Sequence, residues 1–210
     1  MIKHIIFDLD GTLADTGIAT LKAVNEIKVR FNLPEVTMDD IKRAMGLGGM
    51  EFHTNLFPDI DIMILEKSSE MIDILEDEEI IQIGKDILFP GVYEMLHKLH
   101  QKGIILYIAS TGNRAHVTAT LTAGGIIHFF KEINCDEPHK KLMLERMISS
   151  DKNEWVMVGD MFKDSEAARY NGIKSFGAGY GYLKEENKKL FDVVLDKPED
   201  IFLYNLDFIF

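Results

Sequence analysis

A parallel β-sheet with helices on both faces, interrupted by an all-helical segment, is the architecture this 210-residue sequence predicts. Three observations carry that expectation. Short, uninterrupted apolar runs (Ile5-Ile6-Phe7, Ile104 to Ala109, Trp155 to Val158) have the length and composition of strands buried on both faces. They alternate with amphipathic helical stretches, the signature of crossover-connected parallel strands. Between the first and second runs, residues 16–88 show helical spacing alone, and so read as an insertion.

The elements follow in order. The strand ending at Phe7 leads to Ala14-Asp15-Thr16, where Asp15 or Thr16 is placed to cap a helix. Ile18, Leu21, Val24, Ile27 and Phe31 recur at helical intervals, and the helix ends before Pro34. Thr37-Met38-Asp39-Asp40 resembles a capping box opening a short helix over Ile41 to Met45, and the glycine-rich turn Gly46 to Gly49 follows. Ile62 to Leu75 is helical, with Glu78 to Ile83 expected as a separate short helix. Phe89-Pro90-Gly91 marks a turn, and helices are expected over Val92 to Leu99, Ala115 to Ala123, Lys140 to Ile148 and Ser165 to Tyr170. Ile133 to Cys135, Ile173 to Phe176 and Asp192 to Leu195 complete the set of strands.

Composition narrows the function. Lys+Arg 23 against Asp+Glu 35 gives a formal charge of −12, which opposes binding of a nucleic acid polymer or an anionic membrane face. The single cysteine, Cys135, excludes an intramolecular disulfide and a cysteine-rich zinc site, and reads as a buried apolar residue. The first strand starts near the N-terminus without a signal-peptide pattern, and no apolar run has membrane-spanning length; a cytoplasmic protein is expected.

The chemistry lies where the strands stop. Asp8 and Asp10 close the first run; carboxylates two apart repel one another unless a cation lies between them, so this strand end reads as a metal site with a reactive carboxylate. The second run stops at Ser110-Thr111-Gly112 and the third at Gly159-Asp160, with Asp164 four residues on. In an open parallel sheet ligands bind at the carboxyl ends of the strands, so Asp8, Asp10, Ser110, Asp160 and Asp164 converge on one edge.

With these residues in view, the chain resembles a haloacid dehalogenase superfamily hydrolase with a helical cap inserted between its first two motifs, in the phosphoglycolate phosphatase-like and β-phosphoglucomutase-like subgroup. Motif one stands as Asp8-Leu9-Asp10-Gly11-Thr12, motif two as Ile105 to Ser110, and motif four as Gly159-Asp160-Met161-Phe162-Lys163-Asp164. The motif-three lysine departs from the common Lys-Pro form: here Glu137-Pro138-His139-Lys140-Lys141 stands, and the apolar register of Met143, Leu144 and Met147 favours Lys140 over Lys141. The resemblance implies a Rossmann-like core over 1–15 and 89–210 with a cap over 16–88. It implies a Mg²⁺-dependent phosphatase acting on a small phosphorylated metabolite, with phosphomutase activity or a catalytically silent module as alternatives. A monomer is expected.

In the implied mechanism Asp8 attacks phosphorus to form an aspartyl-phosphate and Asp10 is general acid and base. Gly11, Thr12, Ser110, Thr111 and Lys140 hold the phosphate, with Thr12 also read as a buttress of its loop. Asp8, Asp10 through its backbone carbonyl, and Asp160 hold the metal. Asp164 binds it directly, binds it through water, or orients Lys140. The aspartate at position 10 fits phosphoryl transfer, whereas dehalogenases of this fold lack it. The mutases commonly carry a histidine just after Asp-Thr, where this chain has Gly17-Ile18-Ala19-Thr20, and the cap lysines Lys22 and Lys28 read as solvated rather than as a phosphonatase Schiff base. Substrate selection is expected from the Gly46 to Gly49 turn with Glu51 and His53 beyond it, plus Asn113 and Arg114, although histidine's ordinary distribution favours a surface residue at His53 over a contact.

Overall fold

A computed structural model describes residues 1–204; the end of the second core segment, 205–210, lies outside the described residues. Six strands form one sheet: β1 (His4–Phe7), β2 (Ile105–Ala109), β3 (Phe130–Asn134), β4 (Trp155–Gly159), β5 (Lys174–Ala178) and β6 (Val193–Leu195). Every pairing is parallel and the order is β3-β2-β1-β4-β5-β6, so β1 is central, with its crossover to β2 on one side and the crossovers from β4 onward on the other.

Eight helices of at least seven residues accompany them among the described residues: α1 (Gly17–Phe31), α2 (Met38–Ala44), α3 (Met50–Leu56), α4 (Ile62–Ile83), α5 (Val92–Gln101), α6 (Arg114–Ala123), α7 (Lys140–Met147) and α8 (Phe162–Asn171). Alternation along the strands sorts the side chains onto two faces. Ile5, Phe7, Leu106, Ile108, Val156 and Val158 join one core with Met95 and Leu96 of α5 and Val117 and Leu121 of α6. Ile6, Tyr107, Ala109, Trp155 and Met157 join a second core with Met143 and Leu144 of α7 and Ala167 and Ala168 of α8. Both faces being covered explains why the strands are apolar without alternation.

Helices α1 to α4 build a third cluster from Ala23, Val24, Ile27, Ile41, Phe57, Leu65 and Ile72, joined by Tyr182 from the loop after β5. The two chain segments that connect these helices to the sheet run side by side. The Asp15 amide donates to the Ile87 carbonyl at 2.8 Å and the Phe89 amide to the Leu13 carbonyl at 3.1 Å.

Several expectations need correction. Ile62 to Ile83 is one helix rather than two, because Glu76 and Ile80 are buried on the same face as Leu65 and Ile72 and the helix continues through the acidic run. Helix α3 was hidden behind the glycine turn: Gly49 stands at its N-cap with φ 54°. Thr37 and Asp40 do form the capping box. Neither Asp15 nor Thr16 caps α1 with its side chain: Thr16 occupies the N-cap position but its hydroxyl is drawn to Asp10. Strand β3 begins at Phe130, earlier than its apolar residues suggested, since Lys131 and Glu132 are exposed.

Candidate active site

The β1 backbone stops at Asp8 and turns sharply. Leu9 is buried beneath the turn, its carbonyl accepting from the Leu13 and Ala14 amides at 2.8 and 3.0 Å. Gly11 adopts φ 76°, and a Cβ there would lie 2.6 Å from Asp160 Oδ2, so only glycine fits. From the other side Gly181 presses its Cα against the same loop: a Cβ at 181 would lie 1.8 Å from the Gly11 carbonyl oxygen. The Tyr182 amide donates to that oxygen at 3.1 Å.

Three carboxylates, Asp8, Asp160 and Asp164, meet beyond this turn with one oxygen of each within 4.8 Å of the others, and all three are buried. Lys140, at the start of α7 and 5% exposed, answers them: its Nζ lies 2.6 Å from Asp8 Oδ2 and 2.6 Å from Asp164 Oδ1. Lys141 instead meets Glu166 at 3.2 Å on the surface. Asp164 accepts the Met161 amide at 2.9 Å with its second oxygen, so both its oxygens are engaged. Asp160 accepts the Thr12 hydroxyl at 2.7 Å through Oδ1, while its buried Oδ2 has no hydrogen-bond partner.

One lysine against three carboxylates leaves the group short of positive charge. Burial, reinforced by Asp164 and opposed by Lys140, pushes the Asp8 carboxyl up to about 7. Burial with Asp8 and Asp164 as neighbours carries Asp160 well above the ordinary carboxylate range. An orphaned buried carboxylate oxygen among all-oxygen donors is the chemistry of a hard divalent cation. The residues therefore fit a metal of the Mg²⁺ type.

Asp10 faces away from that cluster. Its Oδ1 accepts the Thr16 hydroxyl at 2.8 Å and lies 2.9 Å from His116 Nε2, while His116 Nδ1 lies 3.3 Å from Asp77 of α4. Burial works to raise the Asp10 carboxyl, but the charge and hydrogen bond of His116 carry it below the usual range. Burial likewise opposes the imidazolium, and the Asp10 charge and hydrogen bond overcome this, raising His116 well above an ordinary histidine. The two thus share a proton that rests on the imidazole.

Asp8, Asp10, Thr16, Thr111, Gly112, Asn113 and His116 open onto a cavity of about 400 Å³ whose far wall is made by the Met45 to Gly49 turn, Phe52, His53, Asp73, Glu76 and Asp77. Ser110 is buried beside it and accepts the Gly112 amide at 3.0 Å. Thr12 is fully buried with its hydroxyl on Asp160, which makes it a support of the metal-type cluster rather than a group facing the cavity. The glycine turn and Asn113 line the cavity as expected, Asn113 also capping α6 through the His116 amide at 2.9 Å. Arg114 does not: it is tied to Asp136 at 3.1 Å and is largely exposed. Glu51 sits outside, 3.8 Å from Lys163. His53 is no surface residue: it is 3% exposed and lines the cavity. His116, Asp73, Glu76 and Asp77 escaped sequence reading because each sits in a helix where a polar residue ordinarily faces water.

Comparison with known proteins gives the family of the chain. Residues 5–178 match the family model of the haloacid dehalogenase-like hydrolases. The chain is similar to a phosphoglycolate phosphatase of Agrobacterium fabrum, at 29% identity over 91% of this chain and 87% of the relative. It is 30% identical to a phosphoglycolate phosphatase of Vibrio cholerae, over 86% of each. Among solved structures, a haloacid dehalogenase-like hydrolase of Streptococcus pneumoniae superposes with a TM-score of 0.83 over 97% of this chain and 98% of its own, at 21% identity. The chain belongs to the haloacid dehalogenase-like hydrolases and is an enzyme of their phosphatase branch.

Proposed function

We propose that this enzyme hydrolyses a small phosphate monoester with the help of Mg²⁺, through an aspartyl-phosphate on Asp8, beneath a cap formed by residues 16–88. The observation that carries this reading is the Asp8–Lys140–Asp164 chain, whose Asp8 opens onto a cavity that Asp10, hydrogen-bonded to His116, lines beside it. Asp8 is the nucleophile: its Oδ attacks phosphorus as the bond from phosphorus to the ester oxygen breaks. The proton held on His116 passes through Asp10 to the departing alkoxide, and the Asp10 carboxylate then takes a proton from the water that attacks phosphorus and frees Asp8, returning it to His116. Thr16 and His116 fix the Asp10 carboxyl for both steps.

Lys140 neutralises charge on the transferred group, and Asp164 aims Lys140. Ser110 and Thr111 supply donors to its non-bridging oxygens, while Gly11, whose amide donates to the Ala14 carbonyl at 2.8 Å, lets the backbone approach the transferred group without offering it a donor. Asp8, the Asp10 carbonyl and Asp160 hold the metal, which when bound offsets the charge of both the phosphate and the three carboxylates. Thr12 holds Asp160 in place for it.

Phosphate release from p-nitrophenyl phosphate with and without Mg²⁺ tests the reading. Metal-dependent release is expected, and Asp8→Asn is expected to lose it at unchanged circular dichroism and thermal midpoint or better. Activity retained in Asp8→Asn would remove Asp8 from its role; interconversion of sugar phosphates without net phosphate release would point to a mutase instead.

A further inference from the structure

The cavity wall opposite Asp8 carries a charge pattern that bears on the substrate. Asp73, Glu76 and Asp77 fall at i, i+3 and i+4 of α4, which puts them on one face of the helix, and all three line the cavity. Asp136 and Glu137 line it from the loop after β3. Among the described residues no lysine or arginine lines it. The nearby cations are committed elsewhere: Lys140 to Asp8 and Asp164, Arg114 to Asp136, and Lys163 toward Glu51. Both cavity histidines are already engaged by carboxylates, His116 by Asp10 and Asp77 and His53 by Asp73 at 2.9 Å.

A second observation is independent of the charges. His53 is almost wholly buried, and its Nδ1 has no hydrogen-bond partner. When Nε2 donates its proton to Asp73, Nδ1 of the neutral ring is a bare acceptor. A buried acceptor without a donor is costly, and a hydroxyl or ammonium on a ligand in the cavity would complete it.

Resting on the phosphatase reading above, we propose that the leaving alcohol carries hydroxyl or ammonium donors and no second anionic group. The substrate is then a polyol, sugar or amino-alcohol phosphate, and this enzyme discriminates against the carboxylate-bearing ester after which its relatives are named. A carboxylate or second phosphate on the leaving group would face Asp73, Glu76 and Asp77 with no unpaired cation to receive it, His116 being held between Asp10 and Asp77, and such like-charge placement is a strong means of rejection. Donors placed there meet acceptors instead. The cavity volume suits an alcohol of a few carbons up to a sugar.

Two size-matched pairs test this with the Mg²⁺-loaded enzyme: phosphoethanolamine against phosphoglycolate, and glycerol 1-phosphate against 3-phosphoglycerate. In each pair the non-anionic member is expected to have the higher kcat/KM by about tenfold or more. Which pair shows the larger ratio separates the ammonium from the hydroxyl source. Where turnover is slow, the same ratios are read as competitive inhibition of p-nitrophenyl phosphate hydrolysis. Asp73→Lys is expected to shrink or invert both ratios. A carboxylate member equal to or better than its partner, or ratios unmoved in Asp73→Lys, overturns the inference while leaving the phosphatase reading intact. No phosphate release from any of these esters or from p-nitrophenyl phosphate overturns both.

Discussion

Replacing Glu76 by glutamine isolates the energetic consequence of burying a carboxyl in the cavity wall. Glu76 is buried, and its Oε1 accepts the Thr20 hydroxyl of α1 at 2.6 Å. Burial is the largest influence on it; His116 and Thr20 favour its charge while Asp10 and Asp73 oppose it, and together they push the carboxyl from 4.5 up to about 7. The folded protein therefore holds this proton more tightly than the unfolded chain. The resulting stability is fully present below the unfolded value and is lost as pH rises through about 7. A rise of about 2.5 pH units corresponds to roughly 3 kcal/mol. Glutamine keeps an acceptor for Thr20 and never ionises. Urea denaturation of both proteins at pH 5 and pH 8, without metal, gives the difference, because the titrating groups distant from Glu76 are common to both and cancel, leaving Glu76 and the neighbours coupled to its charge. Because pH 5 already lies above the unfolded value, Glu76→Gln is expected to gain about 2.5 kcal/mol over the parent on going from pH 5 to pH 8. A stability difference that does not change with pH would refute the assignment.

Lys140→Ala is expected to lower kcat/KM at least about a hundredfold, and Lys141→Ala to leave it within about twofold, as steady-state kinetics would register. Gly181→Ala drives a methyl group into the Gly11 carbonyl; a loss of about 3 kcal/mol, or roughly 10 °C in Tm, is expected by calorimetry together with loss of activity. Mg²⁺ competes with protons for Asp8 and Asp160, so its apparent Kd by calorimetric titration is expected to tighten between pH 6 and pH 8, by about tenfold from Asp8 alone and further from Asp160.

Much of the architecture was legible because strands buried on both faces announce themselves as apolar runs, and because a parallel sheet sends the residues ending those runs to one edge. Asp8, Asp160 and Asp164 were found that way, and the apolar register of Met143, Leu144 and Met147 chose Lys140. The far wall was not legible. Glu76 and Asp77 belong to a run of four acidic residues, Glu76-Asp77-Glu78-Glu79, that reads as a solvated helix surface or a break between helices. The burial of Glu76 and the partial burial of Asp77 are decided by α1 and α6, which pack against α4 and contribute Thr20 and His116. His53 was misplaced for the same reason: a histidine three residues into a short helix has no local mark of burial. Thr16 looked like an ordinary helix cap, and what diverted its hydroxyl is Asp10, six residues earlier, brought back by the turn at Gly11.

The central position of β1 also bears on how the molecule is made. His4 pairs with Ile105 on one edge and with Trp155 on the other, so the strand that precedes the other five in sequence is completed only once β4 has emerged. Loop closure over such spans is slow, whereas the contacts among α1 to α4 lie closer together in the sequence and can form while the rest is still being synthesised. Until β4 and α8 emerge, Asp8 has neither Asp160 nor Asp164 beside it. The electrostatically costly assembly of three carboxylates thus waits until β1, β2 and β4 can lie side by side, with the helices that cover their two faces there to compel it.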